Sequence, residues 1–283
     1  MLVSMEKILQ EPSQQGYGIA APNAFNMEQV EAIFQAADEL KLPVIIDCAE
    51  RFDLEAVAEL TRFYDKRYPQ VVAALNLDHG KSYNSAVRAI RAGYTSVMVD
   101  RSETPFEENI RETAAICKMA HAVGVGVEAE IGHVGRGLAY EEDRDKGLTE
   151  PEEAVTFVRA TKVDCLAVAI GTAHGVYSGT PRLDFDRLAK IKSMVHIPLV
   201  LHGGSSTGDA NLAKAAKLGI AKVNLATDLF HAGLKEMRQC LQAAENPRFD
   251  ILFEAEARGY KAMLKHYMVL LSTAHHSAQG AGA

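Results

Sequence analysis

Short apolar runs rich in β-branched residues alternate along the chain with longer stretches whose apolar residues recur at helical spacing. The short runs predict strands at Gly18–Ala21, Val44–Cys48, Val71–Leu77, Ser96–Val99, Gly126–Glu130, Cys165–Ile170, Leu199–His202 and Lys222–Leu225. The longer stretches predict helices over Met27–Leu40, Leu54–Tyr68, Asn84–Ala92, Phe106–Val123, Pro151–Thr161, Phe185–Met194 and Asp209–Leu218. Asn26, Thr104-Pro105, Thr149 with Pro151, and Asp184 stand where helix caps are expected. A run of β→α units argues for a parallel sheet, and eight of them in a row argue for a closed (β/α)8 TIM barrel. An open doubly wound sheet is the alternative, weakened because no GxGxxG follows the first strand. The whole chain, 1–283, is expected to be one barrel domain. A helical extension is predicted from about residue 232, with Asp250–Leu271 as one more helix and a flexible tail from about 273.

Composition changes this picture little. Hydrophobic residues make up 48% and charged residues 24% of 283, ordinary for a globular protein with a large core. The formal charge of −7 argues against a nucleic-acid surface. No run of about 18 apolar residues suggests a membrane span, and Met1–Lys7 does not read as a signal peptide. Cys48, Cys117, Cys165 and Cys240 are far apart and form no CxxC pair, so they read as reduced residues of a cytoplasmic protein.

Chemistry in such a barrel sits at the C-terminal strand ends, and polar residues collect there. The third strand runs into Asn76-Leu77-Asp78-His79-Gly80, the fourth into Asp100, and the fifth into Glu128-Ala129-Glu130. The sixth runs into Gly171-Thr172-Ala173-His174-Gly175, the seventh into His202-Gly203-Gly204-Ser205-Ser206, and the eighth into Asn224-Leu225-Ala226-Thr227-Asp228. One strand-end histidine is ordinarily a satisfied polar residue. Three at one rim, His79, His174 and His202, with carboxylates beside them, suit a divalent metal with one open position. Glu130 is a fourth or alternative ligand, and His133, just past the fifth strand, is placed to orient one. His121, His196, His231 and His266 fall elsewhere and read as structural or exposed. The glycines and hydroxyls after the seventh and eighth strands stand where barrels bind phosphate, on backbone N–H groups and a helix N-terminus.

These motifs resemble the class II, zinc-dependent fructose- and tagatose-bisphosphate aldolases, of the ketose-bisphosphate type. Leu77-Asp78-His79-Gly80, Gly93-Tyr94-Thr95-Ser96-Val97-Met98-Val99-Asp100, Val127-Glu128-Ala129-Glu130-Ile131-Gly132, Gly171-Thr172-Ala173-His174-Gly175, Leu201-His202-Gly203-Gly204-Ser205 and Lys222-Val223-Asn224-Leu225-Ala226-Thr227-Asp228 carry the resemblance, which runs from Met1 to about Leu229. It implies one Zn2+ per subunit on His79, His174 and His202, with Glu130 on or near the metal, and Asp78 as acid/base. It implies that Asp100 and Glu128 are buried supporting carboxylates. Asn23, Gly175, Gly203, Gly204, Ser205, Asn224, Ala226 and Thr227 would hold the phosphate and hydroxyls of dihydroxyacetone phosphate. A monovalent cation (Na+ or K+) near the phosphate, and a homodimer or homotetramer, are further family expectations.

The implied reaction is reversible aldol cleavage of a phosphorylated ketose to dihydroxyacetone phosphate and an aldehyde through a zinc-stabilised enediolate. No predicted strand offers an imine-forming lysine, because Lys222 stands at the start of the eighth. A second base is expected in the loop after the fifth strand, where the family spacing is altered and either Glu141 or Glu142 fits; Glu142 is preferred because it precedes an aspartate. Three departures bear on the substrate. Ala49 replaces a common hydroxyl residue, Ser178 stands where relatives often have lysine, and Ala20-Ala21-Pro22-Asn23 replaces the usual Pro-Ala-Phe-Asn. Arg51 is the candidate contact for a distal anion. The competing readings are a metal-independent phosphate-binding barrel and a non-catalytic descendant.

Overall fold

The computed structural model describes residues 1–139, 145–177, 179, 181–244 and 246–279. Its main sheet has eight parallel strands: β1 (Ile19–Pro22), β2 (Val44–Ala49), β3 (Ala73–Gly80), β4 (Ser96–Val99), β5 (Gly126–Ile131), β7 (Cys165–Val168), β9 (Leu199–Leu201) and β10 (Ile220–Leu225). Their order is β1-β10-β9-β7-β5-β4-β3-β2. The two ends of that order meet, for Asn23 bridges Asp47 and Ala24 N donates to Asp47 O at 2.9 Å. A TIM barrel results, with helices between the strands. Two short strands, β6 (Gly135–Arg136) and β8 (Ala173–His174), pair beside it and place Arg136 opposite His174.

The period-2 alternation of each strand decides what faces where. Val44, Ile46 and Cys48 of β2 and Val97 and Val99 of β4 join the apolar layer under the helices. Ile45, Ala74, Ala167 and Val200 point inward. They are met by Met5, Ile8 and Leu9 of the helix Met5–Gln15, which plugs the N-terminal end of the barrel. Burying a side chain such as Leu9 or Met5 stabilises the fold by about 1.5–3 kcal/mol. With that end of the barrel filled by apolar side chains, the C-terminal rim is left for a ligand.

The observed elements shift the expected ones in a few places. The helix Met5–Gln15 was not expected, since its second half, Glu11-Pro12-Ser13-Gln14-Gln15, breaks the apolar period; Ser4 caps it. Asn26 and Asp184 cap their helices through side-chain oxygens. Thr149 does not: its hydroxyl donates to Ile131 O at 2.6 Å and accepts from Ala169 N at 2.8 Å, tying two barrel strands. The helical extension begins at Thr227 and runs to Ala243, and the last helix, Phe249–Gln279, continues past Leu271 into the expected tail. Lys222 is a correction. β10 starts at Ile220, and a register shift between Ile220 and Lys222 leaves the lysine inside the barrel, fully buried.

Candidate active site

The site begins with an irregularity in β3. Leu75 and Leu77 face the helices, so Asn76 and Asp78 face the interior, and strict alternation would turn His79 outward. The β3–β4 register shifts between Leu77 and Gly80, and His79 adopts a left-handed backbone with φ 51°. For a non-glycine residue this costs about 1–3 kcal/mol. The bulge brings two successive side chains, Asp78 and His79, onto one cavity. Gly80 makes room for it, since a Cβ there would lie 2.7 Å from Met98 O and from Leu77 Cδ2.

Hydrogen bonds assign the histidine tautomers. Glu128 Oε2 accepts from Lys222 Nζ at 2.8 Å, and its Oε1 lies 2.9 Å from His202 Nε2. A carboxylate only accepts, so His202 carries its proton on Nε2. Asp100 Oδ2 likewise lies 2.8 Å from His79 Nδ1, while its Oδ1 accepts from Ser102 N and Oγ. The remaining ring nitrogens, His202 Nδ1 and His79 Nε2, face each other at 3.1 Å, where either a proton on His79 or a metal ion can stand between them. Nitrogens about 2.0–2.1 Å from a tetrahedral zinc stand about 3.3 Å apart. The His174 ring lies 4.9 Å from that of His79, and its Nε2 is buried without a hydrogen-bond partner. One ligand atom from each of the three lies within 4.8 Å of the others. Three imidazole nitrogens converging on one point, one of them orphaned, are what a divalent metal satisfies, so the donor set fits one. Glu130 falls in a second, overlapping set with His79 and Asp100, and its Oε2 is also buried and unpartnered.

The charges decide where the protons stand when protein groups act alone. Burial opposes charge on His79, but Asp78, the Asp100 hydrogen bond and Glu130 push its pKa up to about 10 with protein groups alone. Burial and the neighbouring His79 and His202 push His174 down to about 3, so it offers a neutral imidazole. Burial raises Glu130. Burial alone would raise Asp78 too; His79, His202 and Lys222 overcome it and hold the carboxyl down at about 2. Both Asp78 oxygens accept amide hydrogens, Oδ2 from Asn23 Nδ2 at 2.8 Å and Oδ1 from Asn224 Nδ2 at 3.0 Å.

The far side of the cavity is built from backbone and hydroxyls. Gly203 has φ 69°, and a Cβ there would lie 2.4 Å from Ala173 O, so only glycine fits this approach. Ser205 Oγ accepts from Ala226 N at 3.2 Å and Asp228 N at 3.3 Å, fastening the loop to the N-terminus of the helix Thr227–Ala243. Asp228 in turn accepts from Ser206 N and Oγ and from Tyr267 of the last helix. Such a corner, with the positive end of a helix dipole behind it, suits a phosphate.

One cavity of 850 Å³ gathers nearly all the expected residues: Asp78, His79, Glu130, His174, His202, Asn23, Arg51, Gly175, Gly203, Ser205, Asn224, Ala226 and Thr227. Gly204 is not in its lining; it packs on β10, where a Cβ would lie 2.4 Å from Val223 Cγ1. Arg51 reaches the cavity from the end of β2, its guanidinium 4.7 Å over the Phe52 ring, and Lys81 and Arg136 are further cations in the lining. His133 lines the cavity, exposed and 3.8 Å from Glu103, and belongs to neither donor set. His121, His196, His231 and His266 are exposed. Glu141, Glu142 and Ser178 lie outside the described residues. Asp100 is half-buried, its side chain 21% exposed, whereas Glu128 is fully buried as expected. The inner partners Asp47, Asn76 and Lys222 were missed; polar residues at inward positions of otherwise apolar strands were their signal.

The sequence from residue 3 to 276 matches the family described as Fructose-bisphosphate aldolase class-II. Fructose-bisphosphate aldolase of Helicobacter pylori (strain J99) is 37% identical, covering 97% of this chain and 99% of that protein. Sulfofructosephosphate aldolase of Alkalicoccus urumqiensis is 38% identical, covering 93% and 92%. The crystal structure of the YdjI aldolase of Escherichia coli K12 superposes with a TM-score of 0.85 at 30% identity, covering 96% of this chain and 97% of that one.

Proposed function

From the premise that this chain belongs to the class II fructose-bisphosphate aldolase family, and is a lyase, we propose that it reversibly cleaves a phosphorylated ketose to dihydroxyacetone phosphate and an aldehyde. The observation that carries the reading is the convergence of three histidines and an amide-held carboxylate, Asp78, on one cavity. His79, His174 and His202 would hold the ion, with zinc the best match to imidazole donors and Glu130 beside it. When bound, the ion supplies Lewis-acid stabilisation of the negative charge that develops on the ketose oxygens.

The chain's own residues do the rest. Asp78, kept ionised by its neighbours, removes the proton from the C4 hydroxyl as the C3–C4 bond breaks, and returns it in the aldol direction. Asn23 and Asn224 hold both its oxygens, so the carboxylate cannot turn away. Ser205, Gly203, Gly175, Ala226 and Thr227 bind the phosphate that remains on dihydroxyacetone phosphate. Glu142 protonates C3. Arg51 reads an anionic group on the aldehyde half, which suits a bisphosphate or a relative bearing another terminal anion.

An aldol-cleavage assay on a panel of ketose mono- and bisphosphates, before and after chelation and zinc restoration, tests this. Chelator-sensitive release of dihydroxyacetone phosphate is expected, with Arg51→Ala weakening substrates that carry a second anion and sparing those that do not. Cleavage unaffected by thorough chelation defeats the metal assignment.

A further inference from the structure

The reaction as derived does not use Lys222, yet this ammonium group lies at the centre of the barrel between the two halves of the site. Its Nζ makes three polar contacts: Glu128 Oε2 at 2.8 Å, Asn224 Oδ1 at 2.8 Å and Asp47 Oδ2 at 3.2 Å. It is fully buried, and so are Glu128 and Asp47. Asp47 is held from its other oxygen by Asn76 Nδ2 at 2.9 Å.

Each short contact removes an ambiguity in a neighbour. An ammonium only donates, so the Asn224 atom facing it is the carbonyl oxygen, and the amide nitrogen points to Asp78 Oδ1 at 3.0 Å. Reversing that amide would set NH2 against NH3+ and oxygen against a carboxylate. Glu128, anchored by Lys222 through Oε2, presents Oε1 to His202 Nε2 at 2.9 Å, which leaves Nδ1 free as a lone pair. We propose that Lys222 is a positioning residue: from one buried ammonium group it fixes the Asn224 amide that holds Asp78 and the Glu128 carboxylate that sets the tautomer of His202. Partners behind a metal-ligating histidine typically change metal affinity or activity by 10- to 100-fold. Lys222 stands behind a metal ligand and the acid/base residue at once. This inference rests on the proposed aldolase reading for the roles of Asp78 and His202.

The test uses the full chain with Lys222→Met, and with Lys222→Met/Asp47→Asn. The double variant matters because the single one leaves Asp47 and Glu128 buried without their counter-charge. Asp47→Asn alone retains the lysine and its two short contacts, and its effect on each readout is expected to be smaller than that of either lysine variant. Three quantities are read. Zinc affinity, by competition with a chelating dye, is expected to fall about tenfold or more in both lysine variants. Cleavage kcat is expected to fall about 30-fold or more, with KM changed by less than about threefold. Solvent-proton exchange at C3 of dihydroxyacetone phosphate, which does not need Asp78, is expected to fall less than cleavage does; general damage to the fold would lower both alike. A folded double variant with wild-type zinc affinity and an unchanged ratio of cleavage to exchange overturns the proposal. Wild-type protein with 15N-labelled histidine supplies a readout that needs no variant: His202 protonated on Nδ1 instead of Nε2 overturns it. If wild type cleaves no ketose phosphate, the aldolase reading fails, while zinc affinity and the tautomer still report on Lys222.

Discussion

Asp78 and His79 are neighbours in sequence with opposite proton demands, and the environment of each enforces the difference. Two amide donors and nearby positive charge keep Asp78 ionised, as its proposed role of accepting the C4 hydroxyl proton requires. Asp78→Asn keeps the shape and removes the proposed base. Cleavage is expected to fall by about 10²–10⁴-fold, with zinc content unchanged by metal analysis; loss of zinc instead would make Asp78 part of the metal support. His79 behaves the other way. With protein groups alone its pKa is about 10, so near pH 7 zinc must displace a proton to reach its Nε2. Apparent zinc affinity is therefore expected to rise with pH between 6 and 9, by about tenfold per unit. Chelator competition at several pH values reads this slope, and a flat profile would contradict it. The three histidines and Asp78 were legible as residues because each ends a predicted strand or lies in the segment that directly follows one. Lys222 was not, because a one-residue register shift in β10 decides whether it lies at a strand start or inside the barrel.

At the scale of an element, the β3 bulge is the decisive device. Regular alternation would waste one of the two adjacent polar residues, and the shift between Leu77 and Gly80 recovers it. Gly80→Ala places a Cβ against Met98 O and the Leu77 side chain, both at 2.7 Å. Closing the bulge's hinge in this way is expected to cost about 1–3 kcal/mol of stability and to weaken zinc binding together with it. Urea unfolding of the chelated protein and a zinc titration measure the two effects, and a variant as stable and as tight as wild type would show that the bulge does not need this glycine. Strand and helix ranges agreed closely with hydrophobic periodicity. The pattern failed at Met5–Gln15, where the helix is stabilised by plugging the barrel and not by its own period. Cap chemistry at Thr149 failed for a related reason, since a tertiary tie between Ile131 and Ala169 claimed the hydroxyl.

For the whole molecule, the ion and the barrel should be thermodynamically linked. The three histidines proposed to hold it come from β3, β8 and the end of β9, which are far apart in sequence and meet only in the closed barrel. A ligand bound only by the folded state stabilises it by about 4 kcal/mol at a thousandfold excess over Kd. Chelation is expected to lower the unfolding temperature by several degrees, reversibly, with zinc restoring it. An unfolding temperature indifferent to metal would mean the three histidines do not hold an ion in the folded chain.

The sequence by itself determined the alternation of strands and helices, the family, and the polar residues at the strand ends. These follow from local periodicity and from short motifs, which need no knowledge of what lies across the barrel. The tertiary structure alone decided that His79 turns inward beside Asp78, that Gly204 packs on β10 away from the cavity, and that Lys222 is buried between Glu128 and Asn224. Each of these depends on a register shift or on the close approach of segments distant in sequence. Such contacts are set by closure of the barrel as a whole; a polar residue at an inward position of an apolar strand signals that a partner is needed, but not which residue supplies it.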